Sequence, residues 1–318
     1  MRALALMALL VTATGIGCSS PGRAEEGSLI HGITHGIDIT KTAVGPIAGG
    51  YKLDERAPAF DGGEIKAGLV PNYARLIANS ASYDGLIVPG PHLLIENVTI
   101  QTALDIYTPL PVVLRGVNVH VLAGGHWAIH TRPGSGPLYV LWSRIGGSFM
   151  FDGPTFEVAT GLLLRGGPAQ IYRSHITLAG DGIHADSANI TMTENLIDGL
   201  VAREGSHNDA IQMAPQARGI AIERNRIQNV NPQTSCIYNA GSDIAIRDNY
   251  LAGGGWVIYG GAKDNGHGGD GARNVTATGN ILGFDHFAKS GNFGPVAYWD
   301  QTYSWSDNQF SDGQEIKP

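Results

Sequence analysis

The chain is poor in charge, in cysteine and in long apolar runs, and each shortage narrows what the protein can be. Only 15% of its 318 residues are charged, and the net charge is −7. No basic run is present to neutralise phosphates, which argues against nucleic acid as a partner. The apolar run near the N-terminus falls far short of the ~20 residues of a membrane-spanning helix. Outside the N-terminus and residues 70–80, no window carries the apolar stripe of an amphipathic helix.

The first residues have the pattern of an export signal. Arg2 precedes an apolar stretch from Ala3 to Val11, and small residues then lead to Cys18. The pattern resembles a bacterial lipobox and predicts a lipoprotein-type signal peptide over 1–17, a lipidated Cys18 and a tether over 18–28. Ordinary secretion is the alternative, so we expect an exported protein that is either a cell-envelope lipoprotein or secreted, touching the membrane only through a lipid anchor. With Cys18 lipidated, Cys236 has no partner for a disulfide.

A repeated phrase dominates the C-terminal half, and each copy turns on an asparagine. Short apolar–polar alternations flank these asparagines, as in Gly219-Ile-Ala-Ile-Glu-Arg-Asn225, and serine holds the same place in earlier copies. Spacings of 30, 24, 31 and 28 residues indicate one supersecondary unit stacked on its neighbours. The corner residues are Ser143, Ser174, Asn195, Asn225, Asn249, Asn280 and Asn308.

Strands that stack without helical crossovers predict an all-β fold, a single-stranded parallel β-helix. The alternation puts Ile220 and Ile222 on one face of a strand. We interpret the asparagine as a bend in left-handed conformation whose amide bonds to the equivalent amide one coil away. The 45 glycines suit many turns. We expect an N-terminal cap and lead-in over 29–84 and the β-helix over 85–318.

A further strand of each unit carries the chemistry. Its third residue is apolar and faces the core, so alternation predicts that the second and fourth face outward. The second residues are small: Ala128, Gly182, Ala210, Cys236, Val257 and Val296. The fourth residues are polar or aromatic: His130, His184, Gln212, Tyr238, Tyr259 and Tyr298. Stacked about 4.8 Å apart, they form a ladder beside a floor of small residues, a groove suited to a polymer of sugars. The alternative is ordinary exposed surface.

The sharpest cluster combines two aspartates with two histidines. Asp181 and Asp209 hold the same repeat position on neighbouring coils, so their carboxyl groups could lie ~5 Å apart and divide acid and base roles. His184 and His207 add groups that titrate near neutrality. Two alternatives remain open, that both aspartates cap turns and that the cluster binds a metal. We expect no required cofactor, with calcium the metal left open.

The net negative charge means that local cations must meet any anionic substrate. Arg165, Arg203 and Lys263 are available for this role. Lys263 and His267 lie in a glycine-rich excursion over 260–271, and loops on rigid scaffolds often carry function. The alternative is a solvated loop.

The repeats and the phrase His207-Asn-Asp209-Ala-Ile-Gln212 resemble secreted bacterial right-handed parallel β-helix proteins of the pectate-lyase-like superfamily. The resemblance covers about 85–300 and implies action on polysaccharides by β-elimination, hydrolysis or epimerisation. The signature phrases of polygalacturonases and pectate lyases are absent, so the fold carries over and the reaction does not. We favour an enzyme, a polysaccharide lyase or a glycoside hydrolase, which we expect to be a monomer. A non-catalytic carbohydrate-binding or structural surface lipoprotein is the alternative.

Overall fold

The computed structural model describes residues 64–65, 74–122, 125–147, 158–201, 207–262 and 271–318. The signal peptide, the tether, Cys18 and most of the expected cap lie outside these ranges. Every regular element within them is a β-strand. No helix among the described residues is long and apolar enough to cross a membrane.

The strands, numbered in chain order, build three stacked sheets and one hairpin. The first sheet holds β2 Arg75–Ile77, β5 His92–Glu96, β8 Val112–Arg115, β11 Leu138–Leu141, β14 Ala169–Tyr172, β17 Ala188–Thr193, β20 Arg218–Glu223, β23 Ser242–Arg247, β26 Arg273–Thr278 and β29 Ser304–Ser306. The second sheet holds β1 Glu64–Ile65, β6 Thr99–Ile100, β9 Asn118–Val121, β12 Arg144–Gly147, β15 His175–Thr177, β18 Leu196–Ile197, β21 Arg226–Asn229, β24 Tyr250–Gly253, β27 Ile281–Leu282 and β30 Gln309–Phe310. The third sheet holds β7 Leu104–Ile106, β10 Gly125–Thr131, β13 Val158–Leu164, β16 Ala179–Ala185, β19 Ile211–Met213, β22 Ser235–Asn239, β25 Trp256–Tyr259 and β28 Gly294–Ala297. The hairpin of β3 Ala81–Tyr83 and β4 Leu86–Val88 adds Val88 to a small apolar cluster with first-sheet side chains.

From β5 onward the chain visits the three sheets in turn, and each strand pairs in parallel with its counterpart one coil away. Ile220 of β20, for example, is in register with Ile190 before it and Ile244 after it. These alternating apolar residues stack into one continuous buried core. The fold is a right-handed parallel β-helix, as the repeats predict.

The corner between the first and second sheets is a buried hydrogen-bonded ladder. Asn195 Nδ2 donates to Asn225 Oδ1 at 3.0 Å, and Asn225 Nδ2 donates to Asn249 Oδ1 at 3.0 Å. The ladder continues to Asn280 and Asn308 at 2.9 and 2.8 Å. Each asparagine oxygen also accepts the backbone N–H of the preceding coil's corner residue. The ladder therefore satisfies polar groups that the corner buries, and the expectation of amide bonding is confirmed.

The left-handed residue of the corner is not the asparagine itself, so that part of the interpretation is wrong. Positive φ, between 49° and 68°, falls on the residue immediately before each corner residue: Trp142, Arg173, Glu194, Arg224, Asp248, Gly279 and Asp307. The reversal before the corner turns the corner side chain inward, where its amide can reach the next coil.

The small residues of the third sheet point into the core, which overturns the expected groove floor. Ala128, Ala210, Cys236 and Val257 are fully buried members of the core cluster. The Cys236 sulfur lies 3.3 Å from the carbonyl oxygen of Ala252 in the second sheet, and Gly182 and Val296 occupy the core side as well. A Cβ added to Gly182 would lie 2.9 Å from Cγ2 of Ile197. These positions are small because two sheets approach closely there. The strand bends, and two consecutive residues face inward.

Candidate functional site

One outward column of the third sheet contains the expected ladder, with two differences. In register order it consists of Asp105, His130, Leu163, His184, Gln212, Tyr238, Tyr259 and Ala297. Leu163 separates His130 from His184, because the coil of β13 has an apolar residue at this position. Tyr298 follows the column position by one residue, so the alignment that placed Ala297 in the core was wrong. Its ring still stacks on Tyr259, with centroids 5.5 Å apart.

A second column on the same face lies three residues earlier in each strand. It runs through Trp127, Thr160, Asp181, Asp209, Ser235 and Trp256. The bend between the two columns turns both toward the outside. Asp181 and Asp209 therefore stand on adjacent coils beside His184 and Tyr238, as their repeat positions predict.

Asp209 is a carboxyl group placed in dry surroundings. Asp209 is 4% exposed, and the hydroxyl group of Ser235 donates a hydrogen bond of 2.5 Å to Asp209 Oδ1. Burial raises the pKa of Asp209 to about 7, with the charge of Asp181 adding to the rise and the bond from Ser235 opposing it. Near neutral pH this carboxyl group holds a proton that an ordinary aspartate has already lost.

Asp181 is the more accessible member of the pair. Its Oδ1 accepts the backbone N–H of Asp209 at 3.0 Å, which draws the two carboxyl groups together. Burial raises the pKa of Asp181, while that N–H and the nearby His184 and His207 act against the rise. His207 is exposed at the rim of the pair.

His184 is held by a carboxylate that sequence reasoning did not select. Its Nε2 lies 2.8 Å from Asp186 Oδ1, and Arg165 Nε donates to the other oxygen of Asp186 at 2.7 Å. Burial works to raise the pKa of Asp186, but the bonds from His184 and Arg165 outweigh it and lower the pKa. Arg165 is thus already paired within the protein. Asp186 stands two residues after His184, so strand alternation places both side chains on the same face. This spacing could have identified Asp186 from the sequence.

His130 belongs to a separate cluster near the N-terminal end of the same face. It is 1% exposed, and its Nδ1 lies 3.2 Å from Asp105 Oδ1 without the geometry of a hydrogen bond. Burial, with the charge of Arg132, lowers the pKa of His130 to about 4, so the ring is neutral. Arg132 donates to Asp105 at 2.8 Å and lies over the rings of Tyr107 and Trp127. Sequence reasoning missed these partners.

Tyrosines form the wall beyond the carboxyl pair. The rings of Tyr238 and Tyr259 have centroids 5.8 Å apart, and Tyr298 continues the series beyond Tyr259. Burial raises the pKa of Tyr238 and of Tyr259, and the nearby Asp209 adds to both rises. Gln212 lies in register between His184 and Tyr238. The face therefore joins carboxyl, imidazole, amide and aromatic groups over consecutive coils.

An aromatic recess closes the C-terminal end of this face. Its cavity is about 520 Å³ in volume, and its lining includes Trp256, Phe284, Phe293 and Phe310. Trp256 stands in the column of the two aspartates, two coils beyond Asp209. Phe310 belongs to β30, in register with Leu282, whereas Phe284 and Phe293 lie outside the strands, so the repeat pattern did not identify the recess as a whole.

Lys263 and His267 lie outside the described residues, as does Arg203. Within the ranges that the structure describes, no three His, Cys, Asp or Glu side chains are grouped so that they could hold a metal ion.

Comparison with known proteins yields a likeness of fold. No protein-family model matches the chain, and no curated protein matches it. Among solved structures it is similar to the crystal structure of the Dettilon tailspike protein, at 14% identity and a TM-score of 0.41. The match covers 70% of this chain and 53% of that one, so the chain spans about half the length of the tailspike chain. A likeness at this level concerns the fold and not the activity.

Proposed function

We propose that this protein is an exported enzyme of the pectate-lyase-like superfamily that hydrolyses a polysaccharide along the outer face of its third sheet. Export through the signal over 1–17, with lipid on Cys18, belongs to the same proposal. So do a monomeric state and independence from a cofactor. The observation that carries the proposed reaction is the pair of Asp181 and Asp209, whose pKa values are raised on adjacent coils.

The two carboxyl groups differ in the way that glycoside hydrolysis requires. Asp209, with a pKa of about 7, keeps its proton near neutral pH and is the proton donor to the glycosidic oxygen. Asp181 is the more exposed carboxylate and faces the sugar carbon that loses this oxygen. Asp181 attacks this carbon as the glycosidic bond breaks and forms a glycosyl ester. Asp209, now ionised, then takes a proton from water, and the resulting hydroxyl displaces Asp181, so both carboxyl groups return to their starting state. Neighbouring strands lie about 4.8 Å apart, close to the ~5 Å separation of retaining enzymes, so we expect retention of configuration.

The ladder of outward side chains indicates that the polymer lies along the stack of coils. The accessible part of the column, from His184 to Tyr259, spans three strand spacings, roughly 14 Å, which is enough for a short run of sugar units. Aromatic rings pack on the faces of sugars, while Gln212 and His184 can bond hydroxyl groups. The tyrosines therefore support sugar binding on the C-terminal side of the carboxyl pair.

Elimination is the second candidate, and the contact between His184 and Asp186 favours it. A histidine oriented by a carboxylate is a competent base for removing the proton beside a uronate carboxyl group. Elimination also needs a cation to neutralise that carboxyl group. Arg165, the nearest candidate in the described residues, is already paired with Asp186. This pairing is why we place hydrolysis first.

One assay separates the two reactions from binding alone. The purified protein is incubated with a panel of acidic and neutral polysaccharides, and both reducing ends and the ultraviolet absorbance of unsaturated uronate are recorded. We expect new reducing ends without absorbance. A gain in absorbance would establish elimination, whereas retained binding with neither product would contradict both enzyme proposals for that panel. Because Asp209 must be protonated, hydrolysis should decline as the pH rises through about 7.

Tyr259 offers a test of the sugar-binding wall. It lies between the rings of Tyr238 and Tyr298. On the substrate that the panel identifies, we expect Tyr259→Ala to raise KM by about 2–10-fold, the equivalent of one lost ring contact, with little change in kcat. Tyr259→Phe is the matched control, because it keeps the ring and should keep KM. Equal KM values for Tyr259→Ala and wild type would remove this ring from the binding surface.

A further inference from the structure

A guanidinium on the outer face of the second sheet has no acidic partner. Arg144 begins β12, and its register partners on the neighbouring coils are Asn118 and His175. In the part of the chain that the structure describes, the side chain of Arg144 makes neither a hydrogen bond nor an ion pair. Burial lowers its pKa below the usual value for arginine, and the charge of Asp198 offsets this only in part. The side chain of Arg144 is therefore an unpaired charge at a partly buried position.

The nearest carboxylate is occupied by another group. Asp198 Oδ1 lies 2.6 Å from His175 Nε2, and His175 is 3% exposed. The other ring nitrogen of His175, Nδ1, is buried without a hydrogen-bond partner, and so is Oδ1 of Asn118. Asn118 Nδ2 lies 3.2 Å from His120 Nδ1. If the amide were turned over, Asn118 would keep a contact with His120 and present N–H groups to the space beside Arg144.

Two arginines on other coils show the paired state for comparison. Arg226 lies in the same column of the second sheet, donates to Asp285 and stacks on Tyr250 with its central carbon 4.4 Å from the ring centroid. Arg173 bonds to Glu194 at 2.7 Å on the first sheet. A partly buried charge without a partner is costly, so pairing within the described residues does not account for Arg144. A guanidinium presents a planar fork of N–H groups that matches the oxygens of a carboxylate or sulfate.

We propose that Arg144, together with Asn118, binds an oxyanion, the carboxylate or sulfate group of an acidic ligand. The site lies on the second sheet and the proposed hydrolytic pair lies on the third, so this proposal does not rest on the proposed function. Arg144 supplies the charge and the bidentate donors. The amide of Asn118, in the turned orientation, flanks it on one adjacent coil.

The test uses sodium sulfate and sodium glucuronate as probes, each exchanged against sodium chloride at constant ionic strength. For the wild type we expect the thermal midpoint to rise to a plateau with at least one probe, since ligands that bind the folded state stabilise it. In Arg144→Met the dissociation constant should increase by about tenfold or more. Arg226→Met is the matched control, because it removes a paired arginine from the same column and should leave the response intact.

Each result decides the proposal. A plateau with sulfate alone or with glucuronate alone identifies the group that the site prefers. A rise that continues in proportion to concentration, or one that survives Arg144→Met, indicates general salt effects and overturns the proposal. Folding of the variant is checked in chloride, where Arg144→Met should be at least as stable as wild type because it removes an unpaired charge. As a direct readout, the Nε–H resonance assigned to Arg144 by its loss in the variant should move and saturate with the same probe.

Discussion

Replacing Asp209 by asparagine is expected to abolish hydrolysis and, at the same time, to stabilise the protein above pH 7. The substitution keeps the size of the side chain and an oxygen that can accept the bond from Ser235. It removes the proton that the mechanism delivers to the glycosidic oxygen. Loss of a general acid costs about 10²–10⁴-fold in rate, so kcat should fall by at least that range.

The gain in stability follows from the direction of the pKa shift. The pKa of Asp209 is about 7 in the folded protein and near 4 in an unfolded chain. Its favourable contribution is therefore complete below pH ~4 and is lost as the pH rises through about 7, where the buried group must ionise. The difference between the two values corresponds to at most about 4 kcal/mol. Asparagine does not ionise, so the variant should not lose this contribution.

The experiment measures urea unfolding from pH 4 to pH 8 for three proteins. Wild type should become less stable than Asp209→Asn toward pH 8, and the two curves should converge at acid pH. Asp243→Asn is the control, because Asp243 is exposed on the first sheet, away from the proposed site. Unchanged turnover in Asp209→Asn would remove Asp209 from the mechanism even if the stability result holds. If the stability curves of wild type and Asp209→Asn ran parallel over this pH range, Asp209 would not have the raised pKa of a buried carboxyl group.

The repeat pattern predicted the β-helix because coil stacking leaves a periodic trace in the sequence. Asn225 and its equivalents recur at each corner since every coil buries the same backbone groups there. Ile220 and Ile222 alternate because β20 is extended, so their inward direction could be read directly. Parallel register then placed Asp181 and Asp209 on adjacent coils.

Prediction failed where the strand departs from simple alternation. At the third-sheet bend two consecutive residues face inward, so Ala210 and Cys236 were wrongly placed on the surface. Leu163 was missed because its coil carries no polar residue to mark the column. Tyr298 was misplaced by one position because β28 follows an irregular turn after a coil with a long excursion. The unpaired state of Arg144 depends on three-dimensional neighbours and has no sequence signature.

The corner ladder leads to the second large effect, which is structural. Asn225→Leu preserves approximate volume but removes four hydrogen bonds. Asn225 Nδ2 donates to the carbonyl of Met192 at 2.9 Å and to Asn249 Oδ1 at 3.0 Å. Asn225 Oδ1 accepts from the backbone N–H of Asn195 at 2.9 Å and from its Nδ2 at 3.0 Å. The substitution therefore leaves the Met192 carbonyl and the Asn195 N–H without these bonds in the core.

We expect Asn225→Leu to lower the free energy of unfolding by about 3–6 kcal/mol, since each stranded buried group costs about 1–3 kcal/mol and the amide chain is interrupted. Asn225→Ser should lose about half as much. Serine already serves at Ser174, where its hydroxyl oxygen accepts the N–H of Ser143 at 3.1 Å and its O–H donates to the carbonyl of Tyr172. Urea unfolding measures both losses, and hydrogen exchange should show the greatest loss of protection in the coils next to residue 225. If the free energy of unfolding of Asn225→Leu lies within about 1 kcal/mol of the wild-type value, the asparagine ladder does not stabilise the corner. Apolar packing of a side chain of this size would then fully replace its hydrogen bonds.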